Sequence, residues 1–149
     1  MILGKPMNVC VLVGSLRKAS FNRMLANVLI SLAPSSLKLE IVESGQLQLY
    51  NEDLDIAAPP APWTVFRQRV KTADAVLFVT PEYNRSAPAV LKNALDVGSR
   101  PYGSSVWDRK PGRSSAAHRA RSEPLAPIIT SGSRWCFSTC RPCSNLRPI

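Results

Sequence analysis

The sequence predicts an open, doubly wound α/β fold, a parallel sheet with helices on both faces. Three observations carry this. Two short runs, Asn8–Val13 and Ala75–Val79, are almost wholly apolar and uncharged, the pattern of central parallel strands covered on both sides. Helical periods alternate with the strand-like runs, and parallel strands need crossover connections of about that length. No internal repeat competes with this order. A chain of 149 residues holds one domain with a core and is too short for two ordinary ones.

The first strand, Asn8–Val13, is closed by Gly14. From Ser20 the period changes, and Phe21, Leu25, Val28, Leu29 and Leu32 recur at helical spacing until Pro34 stops them. Leu37–Val42 alternates apolar Leu37, Leu39 and Ile41 with Lys38 and Glu40, as an edge strand does. Residues 44–62 carry acids and prolines without a period, which predicts a long loop holding a turn of helix around Asn51–Asp55. Trp63, Phe66, Val70 and Ala73 return to helical spacing, Ala75–Val79 is the next strand, and a third helix runs from about Ala87 to Gly98.

Composition narrows the class. Hydrophobic residues make up 45% and charged residues 19%, a globular balance, and no apolar run is long enough to span a bilayer. The N-terminus lacks the cleavage site of a secretory signal, so a cytoplasmic location is expected. A net charge of +9 raises nucleic acid as a partner, but more than half of the excess sits in residues 113–149, where six arginines face the single acid Glu123. That quarter also holds three of the four cysteines and no lysine, a sharp change of composition.

Two loops follow the apolar strands, at the ends where open parallel sheets bind ligands. The first, Gly14 to Arg23, enters a helix. Glycine allows a sharp turn, the helix N-terminus offers N–H groups to an anion, and Ser15, Arg17, Ser20 and Asn22 can complete a phosphate cage. Ser20 also suits a plain helix cap. Neither G-x-x-x-x-G-K-[ST] nor G-x-G-x-x-G is present, so a monophosphate fits better than a nucleoside triphosphate or a dinucleotide. The second loop, Pro81 to Pro88, is stiffened at both ends and can present its peptide groups to a flat heteroaromatic ring, with Tyr83 over a face and Asn84 at the polar edge.

GSLRKASFNR at 14–23 together with PEYNRSAPAVLKNALD at 81–96 resembles the NADPH-dependent FMN reductase family, especially its chromate and quinone reductase branch, over about residues 7–112. The resemblance implies a flavodoxin-like fold with strand order 2-1-3-4-5, and homodimers or homotetramers. It implies that Ser15, Arg17, Ser20 and Asn22 hold the FMN phosphate and that Pro81, Glu82, Tyr83 and Asn84 line the isoalloxazine. It further implies NADPH or NADH as donor and a small-molecule acceptor: a quinone, free flavin, azo compound or oxidised metal ion. The cofactor carries that chemistry, so no catalytic dyad is sought, and hydrogen bonding or solvent exposure is the expected state of Glu82. Lys92, Asn93 and Asp96 are expected in helix packing and subunit contact, with Arg100 at an interface or the rim of the site.

After Gly112 the family pattern of a fourth apolar strand, a flavin loop, a helix and a fifth strand is not legible. Back-translated with GC-rich codons and read in a neighbouring frame, the tail can yield segments resembling the missing part. Residues from about 113 onward are therefore expected to be an out-of-frame, poorly ordered tail, with the fourth and fifth strands lost or replaced. An exposed sheet edge, weak flavin retention and little turnover would follow. Cys136, Cys140, Cys143 and His118 have the spacing of a partial zinc site, but the out-of-frame reading accounts for them and no metal is expected. Cys10 reads as a small core residue. An inactive fragment of a reductase and a basic nucleic-acid-binding module through the tail stay open as alternatives.

Overall fold

A computed structural model of the chain describes residues 5–84 and 86–117. The elements run β1 (Met7–Val13), α1 (Phe21–Ser31), β2 (Leu37–Ile41), α2 (Glu52–Ala57), α3 (Ala61–Thr72), β3 (Ala75–Val79), α4 (Ala89–Gly98) and β4 (Gly112–Ser115). All strand pairs are parallel, in the order β2-β1-β3-β4. This is the flavodoxin-like order as far as its fourth strand.

Period-two alternation along β1 and β3 builds two cores. Cys10, Leu12, Val76 and Phe78 face α3 and α4, where Trp63, Phe66, Val70, Leu91, Ala94 and Val97 are buried against them. Val11, Val13 and Val79 face α1, meeting Ala26 with Leu25 and Leu29. The edge position expected of Leu37–Val42 is observed, with β2 pairing to β1. Asn51 caps α2 by accepting from Asp53 N, where a turn of helix was expected. Helix α4 begins at Ala89, two residues later than the spacing predicts, because Pro88 disfavours helical geometry in Ala87 before it. Cys10 is buried as expected, and burial pushes its thiol up to about 12.

Of the two outcomes expected for the fourth strand, lost or replaced, loss is not observed: a strand stands there, built from the polar segment GRSS. Gly112 pairs with Val76 and Ser115 with Val79. Ladder hydrogen bonds use only the backbone, so the open side of β3 can recruit a segment whose side chains carry no strand signal. Just before it, Val106 and Trp107 are buried, and the Trp107 indole donates to Leu95 O at 3.0 Å. A fifth strand has no counterpart among the described residues. Of the tail expected to be poorly ordered, Arg113–Ser115 lie in β4, while residues 118–149, and with them the spacing of Cys136, Cys140, Cys143 and His118, fall outside the described residues. No described helix is long and apolar enough to cross a membrane.

Candidate functional site

The carboxyl ends of β1, β3 and β4 open into one cavity of about 580 Å³. Its size falls within the range of small-molecule sites. Ser15, Arg17, Ser20 and Asn22 line it from the first loop and helix start, Pro81 and Tyr83 from the second loop, and Ala117 from the segment leaving β4. Gly14 and apolar Leu16, Phe21, Pro88 and Val90 complete the lining. The structure thus brings together six of the eight residues singled out in the sequence. Glu82 and Asn84 are exposed and lie outside the lining.

Local geometry explains the first loop. Gly14 N donates to Val79 O at 2.9 Å, which brings the first loop hard against β3. A Cβ on Gly14 would stand 2.1 Å from Thr80 Oγ1 and 2.7 Å from Thr80 Cβ. Glycine is required here for close approach and not for a left-handed turn, since the one glycine of positive φ among the described residues is Gly103. Ser20 is 3% exposed and its hydroxyl accepts from Arg23 N at 3.3 Å. It caps α1, and a capping hydroxyl still has its own proton to donate to an anion. The first turn of α1 carries no acidic residue to oppose one. Arg23 is committed elsewhere, gripping Glu43 at 2.8 and 2.7 Å, and this pairing holds the Glu43 carboxyl below its ordinary value.

Asn22, which lines the cavity, also reaches the segment leaving β4. It is 4% exposed, its Nδ2 donates to Ala117 O at 3.2 Å and its Oδ1 accepts from Ala117 N at 3.0 Å. In the second loop, Tyr83 N donates to Ser86 O at 2.8 Å and Ser86 N to Tyr83 O at 3.0 Å, closing a tight turn with Asn84 at φ 50°. Asn tolerates that conformation better than most residues. The peptide groups of Tyr83 and Ser86 are therefore used within the turn, and Tyr83 is left 66% exposed over the cavity. Asn93 belongs to packing as expected. Its amide accepts from Tyr50 N and donates to Leu47 O and Gln48 O, stapling the loop after β2.

Ala117 gave no sequence signal, because it reaches the cavity only through the pairing of β4. Leu16 and Phe21 were legible as apolar residues in a polar loop, where their exposure could have marked them. Among the described residues no Asp or Glu lines the cavity. Hydroxyls, an arginine and a helix N-terminus share the lining with an aromatic ring, prolines and aliphatic groups. That donor set fits a monophosphate joined to a flat ring, as FMN is.

A family model described as NADPH-dependent FMN reductase matches residues 7–138, and the chain belongs to this family. The match runs past the 7–112 stretch over which the motifs resemble it. A quinone reductase of Pseudomonas putida is 64% identical over 104 residues, which is 70% of this chain and 56% of that protein. A 2-hydroxy-1,4-benzoquinone reductase of Burkholderia sp is 53% identical over 106 residues, 71% of this chain and 57% of that protein. Among solved structures, the flavoenzyme NAD(P)H:(acceptor) oxidoreductase FerB of Paracoccus denitrificans superposes with a TM-score of 0.70 at 44% identity, covering 74% of this chain and 60% of that one. The chain spans a little over half the length of the curated relatives it matches.

Proposed function

We propose that the chain is an NAD(P)H-dependent oxidoreductase that holds FMN in the cavity at the ends of β1, β3 and β4 and reduces quinones. The observation that supports this best is the meeting of the first and second loops in one cavity that no Asp or Glu lines among the described residues. Bound flavin supplies two-electron chemistry between a nicotinamide donor and an acceptor of the quinone class. The protein binds and orients. Ser15, Arg17 and Ser20 hold the phosphate, Arg17 through charge-assisted hydrogen bonds and Ser20 through the proton its capping role leaves over. Pro81 and Tyr83 bound the ring, and Leu16, Phe21 and Val90 keep water from its apolar sides. Glu82 and Asn84 contact the ring edge only if the turn moves inward. Quinone is favoured over free flavin, azo compound or metal ion by the names of the two curated relatives. A cytoplasmic location and a homodimer or homotetramer belong to the same reading.

A second reading rests on length. Because the chain covers 56% of the first relative, it can be a catalytically inactive fragment that keeps the phosphate cage and lacks part of the ring site. We place the change of reading frame at about residue 113 in that case. Titration of the full chain with FMN, followed by NADPH oxidation with a benzoquinone, separates the two. FMN binding with turnover supports the reductase, FMN binding without turnover supports the fragment, and no FMN binding refutes both. In the first two cases Arg17→Ala should weaken FMN by about tenfold, the worth of a charge-assisted hydrogen bond, and leave riboflavin unchanged.

A further inference from the structure

Asn22 stands where a phosphate ligand is expected, yet its amide is turned to another task. Both of its polar atoms meet the backbone of Ala117, 95 residues away in sequence. The pair reproduces the two-bond pattern of a strand ladder, with a side-chain amide in place of a second strand. Ala117 is itself a wall of the cavity, two residues beyond the end of β4. β4 is a short strand of polar residues, with Arg113 and Ser114 exposed, so its own packing fixes the segment beyond it poorly. At the root of α1, by contrast, the amide is 4% exposed and sits one turn from Ala26, which is fully buried against the sheet.

We propose that Asn22 is a positioning residue that pins the segment after β4 to the start of α1 and so builds the third wall of the cavity, and that it is not a phosphate ligand. The inference rests on the flavin reading of the cavity. A pin acts through the fraction of molecules whose wall is in place, and a ligand's apparent affinity falls in proportion to that fraction. Removing the pin therefore weakens every ligand that uses the wall by one common factor. Removing a phosphate contact weakens only ligands that carry phosphate.

The test uses the full chain, with FMN and riboflavin as paired probes and backbone amide exchange in the absence of flavin. Asn22→Ala is expected to weaken FMN and riboflavin alike, by about tenfold, leaving the ratio of their dissociation constants unchanged. The Ala117 amide should exchange at least about tenfold faster, while the Val11 amide in β1 keeps its protection. Ala117→Pro removes the N–H donated to Asn22 Oδ1 and should reproduce the equal weakening of FMN and riboflavin should Asn22→Ala fold poorly. Val97→Ala, a core cavity on the far face of the sheet, should lower thermal stability without speeding Ala117 exchange preferentially or changing either flavin affinity. Loss of FMN binding with riboflavin binding intact in Asn22→Ala would overturn the proposal in favour of a phosphate ligand. Unchanged Ala117 exchange would overturn the pin. If the unmutated chain binds neither flavin, the flavin reading and the wall it needs both fall, while the exchange result still decides whether Asn22 holds Ala117.

Discussion

Replacing Gly14 with alanine drives a methyl group into the narrowest point between the first loop and β3. The new Cβ would lie 2.1 Å from Thr80 Oγ1, 2.7 Å from Thr80 Cβ and 3.2 Å from Thr80 Cα. Rotating the threonine relieves only the first contact, and it breaks the bond that Thr80 Oγ1 makes to Pro81 O at 3.1 Å. The Cβ is fixed to the backbone. To bring 2.7 Å to the ordinary contact distance of 3.4 Å, the two loops must part by about 0.7 Å. That would stretch the Gly14 N to Val79 O bond, now 2.9 Å, to the limit of hydrogen bonding. Overpacking of this kind costs about 2 kcal/mol. For a domain of this size the melting temperature should fall by roughly 8 °C. Urea unfolding monitored by circular dichroism measures the loss directly. Thr80→Gly removes both side-chain contacts, so adding Gly14→Ala to that variant should cost at least about 1 kcal/mol less than adding it to the unmutated chain. A Gly14→Ala protein within ~0.5 kcal/mol of the original, or one whose loss Thr80→Gly leaves unrelieved, would refute the close-approach argument.

Asp55 and Arg67 form a bidentate pair at 2.7 Å with side-chain exposures of 6% and 13%, and the guanidinium also donates to Val97 O and lies over the Trp63 ring. Asp55→Asn should cost about 3 kcal/mol by leaving a half-shielded cation, measured by denaturant unfolding. Hydrogen bonding from Arg67 holds the Asp55 carboxyl below its ordinary value, so the pair's stabilisation is fully present above about pH 5 and lost as the pH falls through the lowered value. The melting temperature of the unmutated chain should therefore fall more steeply below that point than that of Asp55→Asn. Trp107→Ala should cost about 4 kcal/mol, since the ring is 2% exposed and packs beside Phe66 and Phe78, and a calorimetric loss under ~2 kcal/mol would contradict its place in the core. Sequencing the coding DNA around codons 110–115 should reveal one missing or extra base if the tail is out of frame, and uniform codon usage across that point would count against it.

Much of the site was legible in the chain because its signals are local. The apolar runs of β1 and β3 declare strands covered on both faces, and Ser20 followed by a helical period declares the start of α1. Since loops at the ends of parallel strands converge, the sequence alone sets Ser15, Arg17 and Ser20 against Pro81 and Tyr83. Three features were not legible. Gly14 reads as a turn residue, whereas the demand on it comes from Thr80 across the sheet. Asn22 reads as a phosphate group's partner, whereas a backbone 95 residues away engages its amide. GRSS reads as no strand at all, whereas the open side of β3 makes it one.

By itself, then, the sequence determined the class of the fold, the edge and centre of its sheet and the identity of the two loops that meet at the cavity, because hydrophobic period and helix capping act over a few neighbouring residues. Only the tertiary structure decided the fourth strand, the place of Ala117 in the cavity wall, the close approach of Gly14 to Thr80 and the pairing of the Asn22 amide with Ala117. Those depend on distances between segments far apart in the chain, and backbone hydrogen bonding and steric contact across a sheet leave no periodic trace in either segment.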